Sequence, residues 1–415
     1  MNPGRAWRLV SSPVAIRLWS VAVGFVSSVL INRSLGVDLR GGYTTITVYA
    51  SLIQAVGNLG LTFAYAPLMR AFGEERAKAG LLTLVWGQFA AYLVLLPCAL
   101  PFFSDESDFA PVSLLSIAQI LENQIVFIAL IENIRRRNRT LLQSSILYAC
   151  ANLAILLFFP HNLVAIVGCL IGKALFEVVA CSLQERLFVF APKSLDMHFV
   201  AKALRFGLPT ALLALLIQCN YNIDVVAMNY FGTGDYELGL FGTAYSLSNM
   251  LWFIPDAFKE LVYHDSVRKN IDARTICLIL INMAICVIIC IAFGIFGEAF
   301  LGVLFGNAYC AAYPVTLVVF AGIIPMVAFK LIHPIYVNNG KSMRVVSLLV
   351  VSVLANIAIA VVLIPRYGAI GAAASTVFSY TICGMMFFVM YIKETGVTAI
   401  EVRSEFDAMK ARILK

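Results

Sequence analysis

The chain has 415 residues, of which 61% are hydrophobic and only 13% charged. Soluble domains carry about 25% charged residues, so a soluble fold of this size is excluded, and a mean hydropathy of +0.89 places the chain among integral membrane proteins. The formal net charge of +7 then reads as basic loops flanking a membrane, and no nucleic acid is expected as a partner.

A helix needs about 20 mostly apolar residues to cross the hydrocarbon. Twelve stretches qualify in chain order: 14–35, 43–69, 80–103, 111–134, 140–159, 162–184, 203–231, 238–262, 274–297, 314–337, 343–364 and 368–392. The first is long enough to span and no small-residue cleavage site follows it, so it reads as a retained span rather than a signal peptide. Nine of the ten cysteines lie inside apolar stretches and none forms a CxxC pair; they read as small hydrophobes.

Basic residues set the orientation. Of 30 Lys and Arg, 25 fall on the side of the N-terminus and the even-to-odd connections, including Arg135, Arg136, Arg137 and Arg139. Only Arg33, Arg40 and Arg366 fall on the other side, and Lys173 and Lys330 lie inside spans. Both termini are therefore predicted to be cytoplasmic. The acidic cluster Asp105, Glu106 and Asp108 falls outside. The connections are short, with an interfacial helix expected near 298–313 and an amphipathic helix expected in the tail after Lys393.

Two segments recur. GVDLRGGY (36–43) and GDYELGLF (234–241) both fit G-x4-G-x-aromatic, each at the outer turn between the first two spans of a six-span set. VAIVG (164–168) and GAIGAA (368–373) open the sixth and twelfth spans. The predicted fold is therefore all-α and polytopic, with 12 transmembrane helices in two pseudo-symmetric six-helix lobes. The expected organisation is an N-lobe over 1–190, a cytoplasmic linker over 191–202, a C-lobe over 203–392 and a cytoplasmic tail over 393–415.

A charge at the bilayer centre costs roughly 2.5–3.5 kcal/mol on insertion scales and is kept where it meets a partner, a cavity or water. The intramembrane set is Arg17, Glu122, Glu132, Lys173, Glu177, Asp224 and Lys330, with Asp256, Lys259 and Glu260 near an inner helix end. Lys173 and Glu177 are spaced to pair on one helix, and Arg17 and Glu132 are close enough to a boundary to snorkel. Glu122, Asp224 and Lys330 are deeper. At 100° per residue Asn220 and Asp224 share one face of the seventh helix, while Gln218, Asn222 and Asn229 share nearly the opposite one. No DxD motif, nucleophile elbow or P-loop is present. The short outer loops leave no room for an enzyme site, so a transporter is predicted, not an enzyme.

The stretch from Arg205 to Phe258 resembles the seventh and eighth helices of the polysaccharide transporter family, within the multidrug/oligosaccharidyl-lipid/polysaccharide (MOP) exporter superfamily. The matching elements are Gly207-x-Pro209, Asp224, Glu237-x-Gly239-x-Phe241, Ala244-Tyr245 and Ile254-Pro255. LIPRYGAIGAAASTVFSY (363–380) and RSLGVDLRGGY (33–43) resemble two further junctions of that family. The resemblance implies a flippase for undecaprenyl-diphosphate-linked oligosaccharide, such as an O-antigen repeat unit, in the bacterial inner membrane. Its two lobes would alternate in access, within reach of a polymerase and a chain-length regulator. It implies substrate contacts from Arg17, Lys173, Lys330, Gln218 and Asn222, to which the deep Glu122 is added. It also implies a coupling Na+ or H+ at Asp224, Asn356 and Thr376, with no other cofactor. Ala360 stands where such sites carry a second carboxylate.

Overall fold

The computed structural model describes residues 13–96, 106–266 and 272–413. We label its helices α1 (Pro13–Gly57), α2 (Leu61–Phe72), α3 (Glu74–Leu95), α4 (Glu106–Glu132), α5 (Ile134–Phe158), α6 (Leu163–Glu185) and α7 (Met197–Tyr230). There follow α8 (Asp235–Leu251), α9 (Phe253–Ser266), α10 (Asp272–Leu304), α11 (Tyr313–Asn338), α12 (Ser342–Thr395) and α13 (Ala399–Ile413). Among the described residues nine helical stretches are long and apolar enough to cross a membrane. Two of them contain a reversal at a glycine, Gly36 (φ 72°, ψ 175°) in α1 and Gly368 (φ 54°, ψ −129°) in α12. Glycine adopts positive φ at no steric cost, so one continuous apolar run becomes two crossings at each point. Split at these two glycines, the nine stretches give eleven candidate crossings among the described residues. The sequence predicts one more over 238–262, where α8 and α9 meet at Trp252.

The repeated motif has a structural counterpart. Gly234, at the N-terminal cap of α8, has φ 86° and ψ 155°, close to the values at Gly36. Each half also ties the turn after its first crossing to the turn before its last. In the first half the His161 amide donates to the Ser34 carbonyl at 2.9 Å. In the second the Ala369 amide donates to Glu237 Oε2 at 2.8 Å.

The chain forms two compact units, Met1–Gln218 and Cys219–Lys415. The division falls inside α7. The first part of α7 packs within the first unit, where an added Cβ on Gly207 would lie 2.4 Å from the Leu59 carbonyl oxygen. The remainder of α7 bonds to α12 in the second unit, as described below. Asp196 caps the start of α7: its Oδ1 accepts from the Phe199 amide at 2.7 Å and its Oδ2 from Arg76 at 2.7 Å. The backbone hydrogen bond, chiefly, holds this exposed carboxyl below its usual range.

Two apolar clusters are seen among the described residues of the first unit. One joins α2, α3, α4 and α6 with Phe199 and Ala203 of α7; the other joins α1, α4, α5 and α6. Between them α1 gives way to α2 at Asn58–Gly60. A broken helix in lipid must satisfy its freed carbonyls from within the protein. Gln88 and Tyr92 of α3 both donate to the Gly57 carbonyl, and Gln124 of α4 donates to the Asn58 carbonyl at 3.2 Å.

In the second unit α11 is the central helix, packed on α8, α9, α10 and α12. Glycine allows its close approach to α12. A Cβ on Gly384 would lie 1.9 Å from the Pro325 carbonyl oxygen, and one on Gly322 would lie 3.1 Å from the Val377 Cα. Small residues at such crossings let backbones meet directly. Gly384→Ala is expected to cost about 1–3 kcal/mol by overpacking, read as a lowered melting temperature of the purified protein. An unchanged melting temperature would refute this contact.

Candidate functional site

The site is built on spacing of four residues in three helical segments. Asn220 and Asp224 lie one turn apart on α7. Ser352 and Asn356 lie one turn apart on the first half of α12, and Ser375 and Ser379 one turn apart on its second half. Residues so spaced share a helix face, and the faces converge. Asp224 Oδ1 accepts from Ser375 Oγ at 2.6 Å. Its Oδ2 accepts from Thr376 Oγ1 at 2.7 Å and from Asn356 Nδ2 at 3.1 Å. One turn away Asn220 Oδ1 accepts from Ser352 Oγ at 2.9 Å and Ser379 Oγ at 2.8 Å. All seven residues are buried, Asp224 and Asn220 completely.

This arrangement brings together the three residues grouped from the sequence, Asp224, Asn356 and Thr376. It adds Ser375, which the sequence reading missed, and the second rung of Asn220, Ser352 and Ser379. Only the shared spacing of four, which also links Ser375 to Ser379, could have revealed them.

The chemistry follows from charge. Asp224 is a carboxylate deep in an apolar bundle, and the partners that donate to it are all neutral. A buried charge of this kind calls for a proton or a cation. The donor set is all oxygen in kind, as a hard cation requires. Each hydroxyl also has a second acceptor: Ser375 Oγ and Thr376 Oγ1 lie 2.8 and 2.9 Å from the Ala372 carbonyl oxygen. They can donate there and turn lone pairs toward an ion. Asn356 Oδ1 has no hydrogen-bond partner in the structure, so an amide flip would present a ready acceptor. One carboxylate balances one positive charge. Ala360, one turn beyond Asn356, is buried and apolar, so the site fits H+ or Na+ better than a divalent ion.

Two further clusters hold the other deep charges. In the first unit Lys173 Nζ lies 2.8 Å from Glu177 Oε1 on its own helix α6, and 3.2 Å from Glu122 Oε1 on α4. Ser144 of α5 donates to the same Glu177 oxygen. Two carboxylates against one ammonium give a formal charge of −1. Lys173, for which the resemblance implied a diphosphate contact, is thus paired with Glu122 and Glu177 in this structure. In the second unit Lys330 Nζ lies 3.4 Å from Asp256 Oδ1, and Lys259 Nζ lies 3.3 Å from the same atom. Lys330 also sits 4.9 Å from the Trp252 ring centre and 5.5 Å from that of Tyr221. Among the described residues two ammoniums thus converge on the one Asp256 carboxylate oxygen.

The second polar face of α7 is less uniform than its spacing suggested. Asn222 is buried, hydrogen-bonded with Tyr245 of α8. Asn229 Nδ2 donates to the Val225 carbonyl of its own helix at 2.9 Å, and Gln218 is half-buried. The side chains of Arg17, Asp105, Glu106, Asp108 and Glu260 lie outside the described residues. Glu132 pairs with Lys78 at 2.7 Å.

No protein-family pattern matches the chain, and no curated protein matches it in sequence. Solved structures do match in fold. The lipid II flippase MurJ in an inward closed conformation superposes with a TM-score of 0.72 at 14% identity, covering 93% of this chain and 88% of that one. An inward-facing multidrug resistance MATE family transporter of the MOP superfamily gives 0.63 at 12% identity, covering 92% and 98%. A Vibrio cholerae MATE transporter gives 0.59 at 15% identity, covering 93% and 96%. The chain is thus a multi-pass membrane protein with the fold of MOP superfamily transporters.

Proposed function

We propose that the protein is a flippase that moves an undecaprenyl-diphosphate-linked oligosaccharide, such as an O-antigen repeat unit, from the inner to the outer leaflet of the bacterial cytoplasmic membrane. Transport by alternating access is coupled to Na+ or H+ at Asp224, and no bond in the substrate is made or broken. The observation that carries the coupling is the wholly buried Asp224, held by the neutral donors Asn356, Ser375 and Thr376. The fold likeness to a lipid II flippase, with a higher TM-score than the MATE transporters named above, favours a lipid-linked substrate. Lys330 and Lys259, the two ammoniums beside Asp256, are the assigned diphosphate contacts. Lys173 and Glu122 act instead as a structural pair within the N-lobe.

The test is removal of the protein from its host. Surface glycan is expected to be lost, with lipid-linked repeat units accumulating on the cytoplasmic side. Glycan loss without accumulation would refute the flippase reading. The likeness to MATE transporters favours a second reading, drug export, which predicts raised drug sensitivity and unchanged glycan in the same strain.

A further inference from the structure

The end of α12 that precedes the C-terminal tail carries a groove of about 610 Å³, lined by Leu348, Met385, Met386, Val389, Met390 and Lys393, with Glu394 beside it. Its floor is apolar and rich in methionine, which conforms to flexible chains. Met385 and Val389 are exposed in the structure, so this wall faces the surface of the bundle. From Met385 to Lys393 the groove runs eight residues of helix, about 12 Å at 1.5 Å per residue. One leaflet of hydrocarbon is about 15 Å deep, so the groove matches most of the depth of one acyl chain.

Its mouth is cationic. Lys341 Nζ lies 2.9 Å from Glu394 Oε2, and Arg344 pairs with Glu394 Oε1. Lys393 is exposed and makes no ion pair among the described residues. Three cations face one carboxylate, leaving a formal charge of +2 where a lipid headgroup would sit. That charge attracts a phosphodiester and repels the ammonium of a zwitterionic lipid.

We propose that this groove is a binding site for an anionic phospholipid of the phosphatidylglycerol class, with one acyl chain along Met385, Met386, Val389 and Met390 and the phosphate on Lys393. The site is separate from Asp224 and stands whether or not the flippase reading does.

Native mass spectrometry of the full chain in detergent, titrated with phosphatidylglycerol or phosphatidylcholine, tests it. Phosphatidylglycerol is expected to bind with clear preference. A basic residue near a membrane surface contributes about a fivefold change in binding to anionic lipid, so Lys393→Gln should weaken phosphatidylglycerol about fivefold. Met386→Trp, which fills the groove and leaves its charge intact, should also displace it. Melting temperatures of both variants are measured alongside, so that loss of binding is read only from folded protein. Equal binding of the two lipids, or unchanged binding in both folded variants, would overturn the assignment. Displacement of phosphatidylglycerol by undecaprenyl phosphate at far lower concentration would overturn it too, because the groove would then serve the substrate's tail.

Discussion

Asp224→Asn is expected to abolish glycan display at normal protein level. The substitution is close to isosteric, and the site can absorb it. Ser375 and Thr376 can redirect their hydroxyls to the Ala372 carbonyl, and Asn356 Oδ1, which has no partner in the structure, can accept from the new amide. The fold is therefore retained while the one ionisable group in the cluster is lost. A second readout separates coupling from folding. Na+ or a lowered pH should raise the melting temperature of the wild-type protein and leave that of Asp224→Asn unmoved. Normal glycan display from the variant would remove Asp224 from the mechanism.

The second large effect is expected at Lys173. Replacing it with Met leaves Glu122 and Glu177 facing each other, Glu177 almost fully buried and Glu122 about a quarter exposed. Breaking a buried ion pair by removing one partner costs about 3–5 kcal/mol. The lower end applies here, because Glu122 is partly open to solvent. Thermal unfolding of Lys173→Met should show that loss, and the double change Lys173→Met with Glu177→Gln should recover most of it, because the enclosed carboxylate is gone. No recovery in the double variant would show that Lys173 acts through something other than this pair. Single Lys173→Met with unaltered stability and lost transport would restore Lys173 as a substrate contact.

The sequence showed the crossings because each is a sustained apolar run, and bilayer thickness fixes how long such a run must be. It showed the paired turns because Gly36 and Gly234 both need positive φ, which leaves a glycine at matching points. Asp224, Asn356 and Thr376 were grouped only through the family resemblance, which matched their positions on three helical segments. Ser375, Ser352 and Ser379 were not, because serine in a membrane helix commonly bonds its own backbone. Only packing decides which serine turns to a neighbour. The same limit applied to Lys173. Its spacing from Glu177 was visible along one helix, but Glu122 comes from α4, and a contact between helices leaves no trace in spacing. The break at Asn58–Gly60 was also hidden, since its stabilising amides, Gln88 and Gln124, read as scattered polar residues until α3 and α4 are packed.

Under the proposed function the unit that holds Asp224 also holds Lys330 and Lys259. In the proposed mechanism a monovalent cation at Asp224 and a diphosphate near Lys330 therefore act on the same unit, within which Tyr221 and Tyr380 lie between the two sites. The Tyr221 ring stands 5.9 Å from that of Tyr380, which follows Ser379, and 5.9 Å from that of Trp252, beside Lys330. Local rearrangement of one rung is thus close enough to be felt at the other.

Reconstitution tests the central claim most directly. Purified wild-type protein and Asp224→Asn are placed in liposomes with an undecaprenyl-diphosphate-linked oligosaccharide, and the fraction that reaches the opposite leaflet is measured with and without an Na+ or H+ gradient. The account predicts gradient-dependent movement by the wild type and none by the variant. Equal movement by both proteins, or by neither under any gradient, would contradict it.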